Sequence, residues 1–306
     1  MAYKPKPIAA GEMTKQWLAW QHKRHENPEL YAPKGTGLRA LNVAMGGGIE
    51  FGQYILIGGD PGAGKTTLLG CISDAFGRQM VNSLSLSNEM STMQLGTLFF
   101  SMYSKVDRTR IRAAKLEIAD WEVLEIAGKE IDKLTLAFDY GFSSVGDIHL
   151  AIDDIEERTG EPVMAIFGDY FHLMDEPNFR GPRTEEEAYI SRNLNALKNS
   201  KDKVLRAVVF AAQKRKQDIE RGTTSMAAFH GSSQLAKDMD IGIFIDNIPD
   251  ETTPGRSIPN RKKVTIVKGR ELASSEPFEV GYNGSIATFY DLGADTKEKA
   301  ADRYWK

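Results

Sequence analysis

The sequence predicts an α/β fold: a mainly parallel sheet with helices on both faces, finished by antiparallel strands at its C-terminal end. Three observations carry this reading. Strand-like apolar runs alternate with helix-like segments through the middle of the chain, the pattern of parallel strands joined by crossover helices. One such run, Ile55-Leu56-Ile57, feeds the glycine-rich stretch Gly58 to Gly64 and then the helix-forming Thr67-Leu68-Leu69. Toward the C-terminus the short runs Val264–Val267, Phe278–Val280 and Ile286–Tyr290 follow one another with no helix between them.

Taken in order, residues 1–11 contain Pro and Lys and no periodic apolar signal. From Met13 to about Asn27, Trp17-Leu18 and Trp20 among polar neighbours read as one amphipathic helix. Pro28 and Pro33 interrupt the chain, so 28–36 reads as a linker. This divides the chain into an N-terminal helix and linker (1–36) and a main domain (37–306). A short helix and the turn Gly46-Gly47-Gly48 precede the first strand. Further strands are expected near 81–86, 134–138, 163–168, 206–211 and 241–245. Helices are expected near 65–77, 91–104, 117–131, 144–159 and 187–200. The segment Pro249 to Lys263, with three prolines, reads as an insertion.

The chain has 306 residues, 41% of them hydrophobic and 26% charged, as in ordinary soluble domains. No apolar run approaches the ~20 residues of a membrane span, and no signal-peptide core is seen, so no membrane partner is expected. The single Cys71 excludes an internal disulfide and points to a cytoplasmic protein. With five scattered histidines and one cysteine, a structural zinc set is also excluded. A net charge of −3 argues against a globally basic surface. Any nucleic-acid contact must come from local basic loops.

The stretch Gly59-Asp60-Pro61-Gly62-Ala63-Gly64-Lys65-Thr66-Thr67 is the strongest chemical signal. A strand delivers the chain to a turn whose backbone N–H groups converge on a phosphate chain, and the following helix aims its positive dipole end at the same charge. Lys65 can then reach the β- and γ-phosphates of ATP, and the Thr66 hydroxyl can ligate Mg²⁺. Glu89, after the next strand, either polarises an attacking water or marks the start of the following helix. The apolar run Val163 to Gly168 ends in Asp169, which either holds Mg²⁺ or caps a helix. Gln213 ends another buried strand in a neutral amide able to bond a γ-phosphate. Lys214-Arg215-Lys216 opens a loop that either tracks a phosphate backbone or is a solvated charge run.

Taken together and in order from about Gly37 to Tyr290, these motifs resemble the RecA-like ATPase domain of hexameric replicative DNA helicases of the DnaB type. They are also similar to the helicase half of phage primase-helicases. Asn88-Glu89-Met90-Ser91 with Gln94-Leu95 resembles the family's Leu-Glu-Met-Ser…Gln-Leu, whose Glu is the catalytic base. Gly168 to Met174 resembles Asp-Tyr-Leu-Gln-Leu-Met, and Ile190 to Lys198 resembles Ile-Ser-Arg-x-Leu-Lys-x-Leu. Phe229 to Asp240 resembles a DNA-contacting loop plus helix, which implies DNA contacts at His230, Gly231, Ser232 and Ser233. Val267-Lys268-Gly269-Arg270 resembles a Lys-x-Arg element that reaches into a neighbouring subunit's ATP site; a surface salt bridge is the alternative for Arg270.

The resemblance implies a hexameric ring on single-stranded and forked DNA, with a primase or helicase loader as partner. The N-terminal helix then packs on the neighbouring subunit, or else folds back on its own domain. Only residues 1–36 precede the core, which suggests a phage or plasmid version. Departures from the pattern are His230 in place of Arg, His172 in place of Gln, Asn88 in place of Leu, and the 249–263 segment. Two other readings share the core: a RecA/RadA-like recombinase forming filaments, and a KaiC-like ATPase acting on protein.

Overall fold

The computed structural model describes residues 7–199, 204–229, 233–253, 256–269 and 276–293. The chain divides into two compact units, residues 1–33 and 34–306. The first holds α1 (Ala10–Glu26) and a single turn, α2 (Pro28–Tyr31). Part of the expected linker is therefore helical. Pro28 stands at the first helical position, where its missing N–H costs nothing and its fixed φ suits the turn. α1 ends in Lys23, Arg24 and His25, cations that suit the negative end of the helix dipole. It buries none of its residues, and Trp17 is 52% exposed and Trp20 42%.

The second unit opens with α3 (Arg39–Ala44), β1 (Tyr54–Gly59), α4 (Lys65–Arg78), β2 (Ser83–Ser87) and α5 (Thr92–Ser104). α6 (Arg108–Arg112), α7 (Ile118–Ile131), β3 (Leu136–Tyr140), α8 (Val145–Thr159), β4 (Ala165–Asp169) and α9 (Arg183–Leu197) follow. Then come β5 (Ala207–Ala211), α10 (Lys216–Glu220) and α11 (Ser233–Asp238). The last strands are β6 (Ile241–Pro249), β7 (Ser257–Gly269), β8 (Phe278–Asn283) and β9 (Thr288–Asp291).

All nine strands form one sheet in the order β3-β2-β4-β5-β1-β6-β7-β8-β9. Pairing is parallel from β3 to β6 and antiparallel from β6 to β9. The central strands are apolar on both faces because helices cover both. Ile55 and Ile57 of β1 point into one core with Leu68, Ile72 and Phe76 of α4. Tyr54 and Leu56 point into the other, with Ile148 and Ile152 of α8 and Ile190 and Leu194 of α9. A strand that must satisfy two cores reads as a continuous apolar run rather than as alternation.

The described residues of the 249–263 segment lie in the outer part of the β6–β7 hairpin. Asp246 pairs with Lys263, Asn247 with Lys262 and Pro249 with Ser257, with an irregularity between Asn247 and Pro249. Proline is tolerated at such strand ends and irregularities, where no ladder N–H is needed. Among the described residues no helix is long and apolar enough to cross a membrane.

Candidate nucleotide site

The parallel strands β1, β2, β4 and β5 end along one edge of the sheet, where ligands of such sheets bind. β1 delivers the chain to Asp60-Pro61-Gly62-Ala63-Gly64, and α4 begins at Lys65. Gly64 has φ of +98°, and a Cβ there would stand 3.0 Å from Tyr282 and 3.1 Å from Phe289. Both the backbone conformation and the lack of room therefore require glycine at this position. Ala63 and Thr67 are buried, whereas Pro61 and Gly62 are exposed at the tip of the loop.

Lys65 Nζ donates to the carbonyls of Gly59 and Asp60, each at 3.2 Å, so its ammonium lies folded over the loop it serves. Burial holds its pKa below the usual lysine value, opposed by the charges of Asp169, Glu89, Asp60 and Asp246. An incoming polyanion relieves that penalty. Asp169 ends β4 almost fully buried, has the Thr66 hydroxyl near enough to favour its charged form, and keeps Oδ2 without a partner among the described residues. A partnerless buried carboxylate oxygen beside a hydroxyl is a donor set suited to a hard cation that takes few protein ligands. No group of three or more His, Cys, Asp or Glu able to hold an ion occurs among the described residues.

Burial pushes the Asp169 pKa from its ordinary 3.8 up to about 6, with the charge of Glu89 adding to the rise. The sign follows from linkage. The folded chain holds this proton more tightly than the unfolded chain, so the group's contribution to stability is full below pH 3.8 and is lost as pH rises through about 6. At ~1.4 kcal/mol per pKa unit the loss is at most ~3 kcal/mol. Asp169→Asn in the nucleotide-free protein is expected to gain stability at pH 8 and to lose that gain near pH 4. Urea unfolding at the two pH values checks this.

Glu89 lies exposed after β2, in the turn to α5. It does not cap that helix: Ser91 Oγ accepts from Gln94 N at 3.4 Å, and Gln94 Oε1 accepts from Ser91 N at 2.8 Å. Its charge instead bears on Lys65 and Asp169. At the end of β5, Gln213 Nε2 donates to Tyr170 Oη at 3.0 Å and Gln213 N donates to His172 Nδ1 at 3.3 Å. His172, one of the departures noted in the sequence, thus joins the end of β5 to the segment after β4.

Two lysines are placed elsewhere than the sequence reading put them. Lys214 is not exposed: its Nζ is buried between Asp60 Oδ1 at 3.2 Å and Asp246 Oδ1 at 3.0 Å. Two carboxylates from distant parts of the chain draw this cation inward, and only Arg215 and Lys216 remain of the expected basic run. Arg215 Nε donates to the Phe229 carbonyl at 3.1 Å, and the Lys216 side chain is 91% exposed. Lys268 Nζ donates to the carbonyls of Ala236, Lys237 and Met239 at 2.7, 3.2 and 2.5 Å. It closes the C-terminal end of α11 in its own chain, a position that suits a cation. His230, Gly231, Ser232 and Arg270 lie outside the described residues, and Ser233 is described only as the first residue of α11. Sequence reasoning missed Asp246 and Thr224 altogether. The signal was an acid at the end of the apolar run Ile243-Phe244-Ile245, the same form that drew attention to Asp169.

Residues 35–291 match the family model of the DnaB-like helicase C-terminal domain. The chain belongs to this family. Among solved structures it is similar to a DnaB-like replicative helicase described with its interactions with primase. That match has 19% identity and a TM-score of 0.77, and covers 94% of this chain and 68% of that one. It is likewise similar to a second solved structure, an isolated ATPase domain, with 20% identity and a TM-score of 0.79, covering 93% of this chain and all of that one. At these identities the likeness is one of fold. Curated relatives include DNA repair protein RadA of Halalkalibacterium halodurans, 29% identical over 134 residues, which are 44% of this chain and 23% of the relative. RadA of Aquifex aeolicus is 42% identical over 78 residues, 25% of this chain and 16% of the relative. The matched segments thus span under a quarter of these relatives' length.

Proposed function

We propose that the protein is an ATP-driven ring translocase that moves on single-stranded DNA and separates duplex strands. The observation that supports this most is the convergence of Lys65, Thr66, Asp169 and Glu89 on one sheet edge, in a chain of the DnaB-like family. Lys65 and the loop amides from Gly59 to Thr67 hold the phosphates of ATP. Thr66 and Asp169 would hold Mg²⁺, which when bound neutralises charge on the phosphates. Glu89, exposed and outside any cap, orients the attacking water. Gln213 reports the state of the γ-phosphate through its bonds to Tyr170 and His172. Arg270 completes the site from the neighbouring subunit. Lys268, occupied by α11, positions the end of β7 rather than reaching across itself.

Arg215 and Lys216, with residues 230–233, take the phosphate backbone of the strand. Assembly has its own support. α1 exposes Trp17, Leu18 and Trp20, and α7 exposes Ile118, Trp121 and Ile126, apolar surface of a kind that marks subunit contacts. α1 packs on the neighbouring subunit in this reading. Deleting residues 1–30 is therefore expected to shift the protein from rings to smaller species at equal concentration. Light scattering behind size exclusion reads this, and full rings from the truncated protein would remove α1 from the interface. A primase or helicase loader is proposed as partner.

The RadA relatives favour a second reading, a recombinase forming open filaments on single-stranded DNA. The test common to both is ATP hydrolysis with and without single-stranded DNA. Stimulation by the strand is expected; hydrolysis indifferent to DNA would instead indicate an ATPase acting on protein. Closed rings and strand separation then favour the translocase, and filaments with strand exchange the recombinase.

A further inference from the structure

Lys214 is a buried cation near the candidate nucleotide site, and it contacts three separate segments. Its Nζ reaches Asp60 in the phosphate loop at 3.2 Å, Asp246 within β6 at 3.0 Å, and Thr224 Oγ1 at 3.3 Å. Thr224 in turn donates to Asp246 Oδ2 at 2.7 Å, and Asn247 N donates to Asp60 Oδ2 at 3.2 Å. Asp60 is therefore held by two donors that both lie outside the phosphate loop. The ammonium also sits 5.6 Å from the centre of the Phe244 ring.

The same region clamps both ends of the segment from Lys214 to Phe229. Lys214 and Phe229 form an isolated antiparallel bridge, and Arg215 N donates to the Ala228 carbonyl at 2.8 Å. The Phe229 ring lies 4.4 Å from that of Phe244. Both rings fill the space above Gly58, where a Cβ would stand 2.4 Å from Phe244 and 2.9 Å from Phe229. The end of β1, where the phosphate loop begins, thus bears on Phe229 directly and on Lys214 through the Phe244 ring.

We propose that Lys214 is a positioning residue that holds Asp60 of the phosphate loop and Thr224 of the 214–229 loop in one arrangement, so that nucleotide binding and the conformation of that loop change together. An ammonium shared by the buried carboxylate of Asp246 and the half-buried one of Asp60 has few alternative geometries, because any displacement leaves the Asp246 charge unpaired in a low-dielectric site. Movement of Asp60 when phosphate arrives must therefore be followed by Lys214, and Thr224 shares the same carboxylate. The coupling to DNA rests on the proposed function, which takes this loop to face the strand. The coupling to nucleotide does not.

The test is trypsin cleavage at Lys216 and Arg221, two exposed positions in the loop, read by mass spectrometry in the full chain without nucleotide and with a non-hydrolysable ATP analogue. The analogue is expected to change the wild-type cleavage rate several-fold. Lys214→Met, which removes the charge and keeps the bulk, is expected to bring that ratio toward unity. Thr224→Val leaves both Lys214 ion pairs in place and cuts only the loop's tether, so it decides the question if Lys214→Met fails to fold. Asp246→Asn combined with Lys214→Met should recover thermal stability without recovering the ratio. A ratio recovered together with stability would make Lys214 merely structural. Wild-type cleavage indifferent to nucleotide, or Thr224→Val with the wild-type ratio, would overturn the proposal. Failure of the wild type to bind a labelled single-stranded oligonucleotide would sink the translocase reading and leave the cleavage ratio to judge the coupling.

Discussion

Lys65→Ala is expected to lower ATP hydrolysis by roughly 10²–10³ or more, the scale of losing a preorganised donor to developing phosphoryl charge. The fold should be unharmed. Lys65 is not a structural ion pair: it bonds two loop carbonyls, and burial works against its charge. Removing a cation whose charged form is disfavoured costs little stability, so the thermal midpoint should stay within a few degrees of wild type. ATP affinity should fall as well, because phosphate offsets the burial that disfavours the Lys65 charge. Steady-state kinetics and a melting curve on the same preparation check both halves. A large fall in the midpoint would show that Lys65 holds the loop together instead.

The second large effect separates the two halves of a shared site. Glu89→Gln is expected to lower turnover by about 10²–10⁴, the usual range for a positioned general base, with ATP binding retained. Arg270→Ala is expected to cost about 10³–10⁵, as for other arginine fingers. Each variant alone should be nearly inactive. If Glu89 acts in its own subunit and Arg270 in the neighbour's, mixing the two variants rebuilds some complete sites and restores part of the activity. Activity of the mixture no higher than the sum of the parts would place both residues in one chain's site, or place Arg270 outside it.

Strands such as β1, β4 and β5 were readable because they bury both faces and so appear as apolar runs, as in Val208-Val209-Phe210 of β5. Long helices were readable from periodicity, with ends set by local chemistry such as the Ser144 and Asp147 capping box of α8. What escaped was short or polar. α6 is Arg-Thr-Arg-Ile-Arg, started by the Asp107 carboxylate accepting from Thr109 N, and it has no apolar stripe to announce it. The first turn of α9 was missed because Arg183-Thr184-Glu185-Glu186 is all polar. Its order comes from the Arg183 guanidinium, which bonds Asp175, Glu186 and the carbonyls of His172 and Met174. In the outer β6–β7 hairpin, prolines signalled an interruption that the strand ends absorb.

The nucleotide site divides along the same line. Gly59 to Thr67 is local, and its backbone conformation is written into its glycines. Asp169 and Gln213 stood out as candidates because an apolar strand delivers each of them to the same edge. Lys214 and Lys268 were misplaced because their surroundings are tertiary. One is drawn in by Asp60 and Asp246, the other by the carbonyls at the end of α11. A run of basic residues carries no mark of which member will be buried.

The most direct measurement is ATP-dependent strand separation on forked DNA carrying either a 5′ or a 3′ single-stranded tail, with Lys65→Ala as the blank. Separation by the wild type on one tail polarity and none by the variant is the expected result. Hydrolysis stimulated by single-stranded DNA with no separation on either fork would contradict a translocating helicase and move the reading to the recombinase.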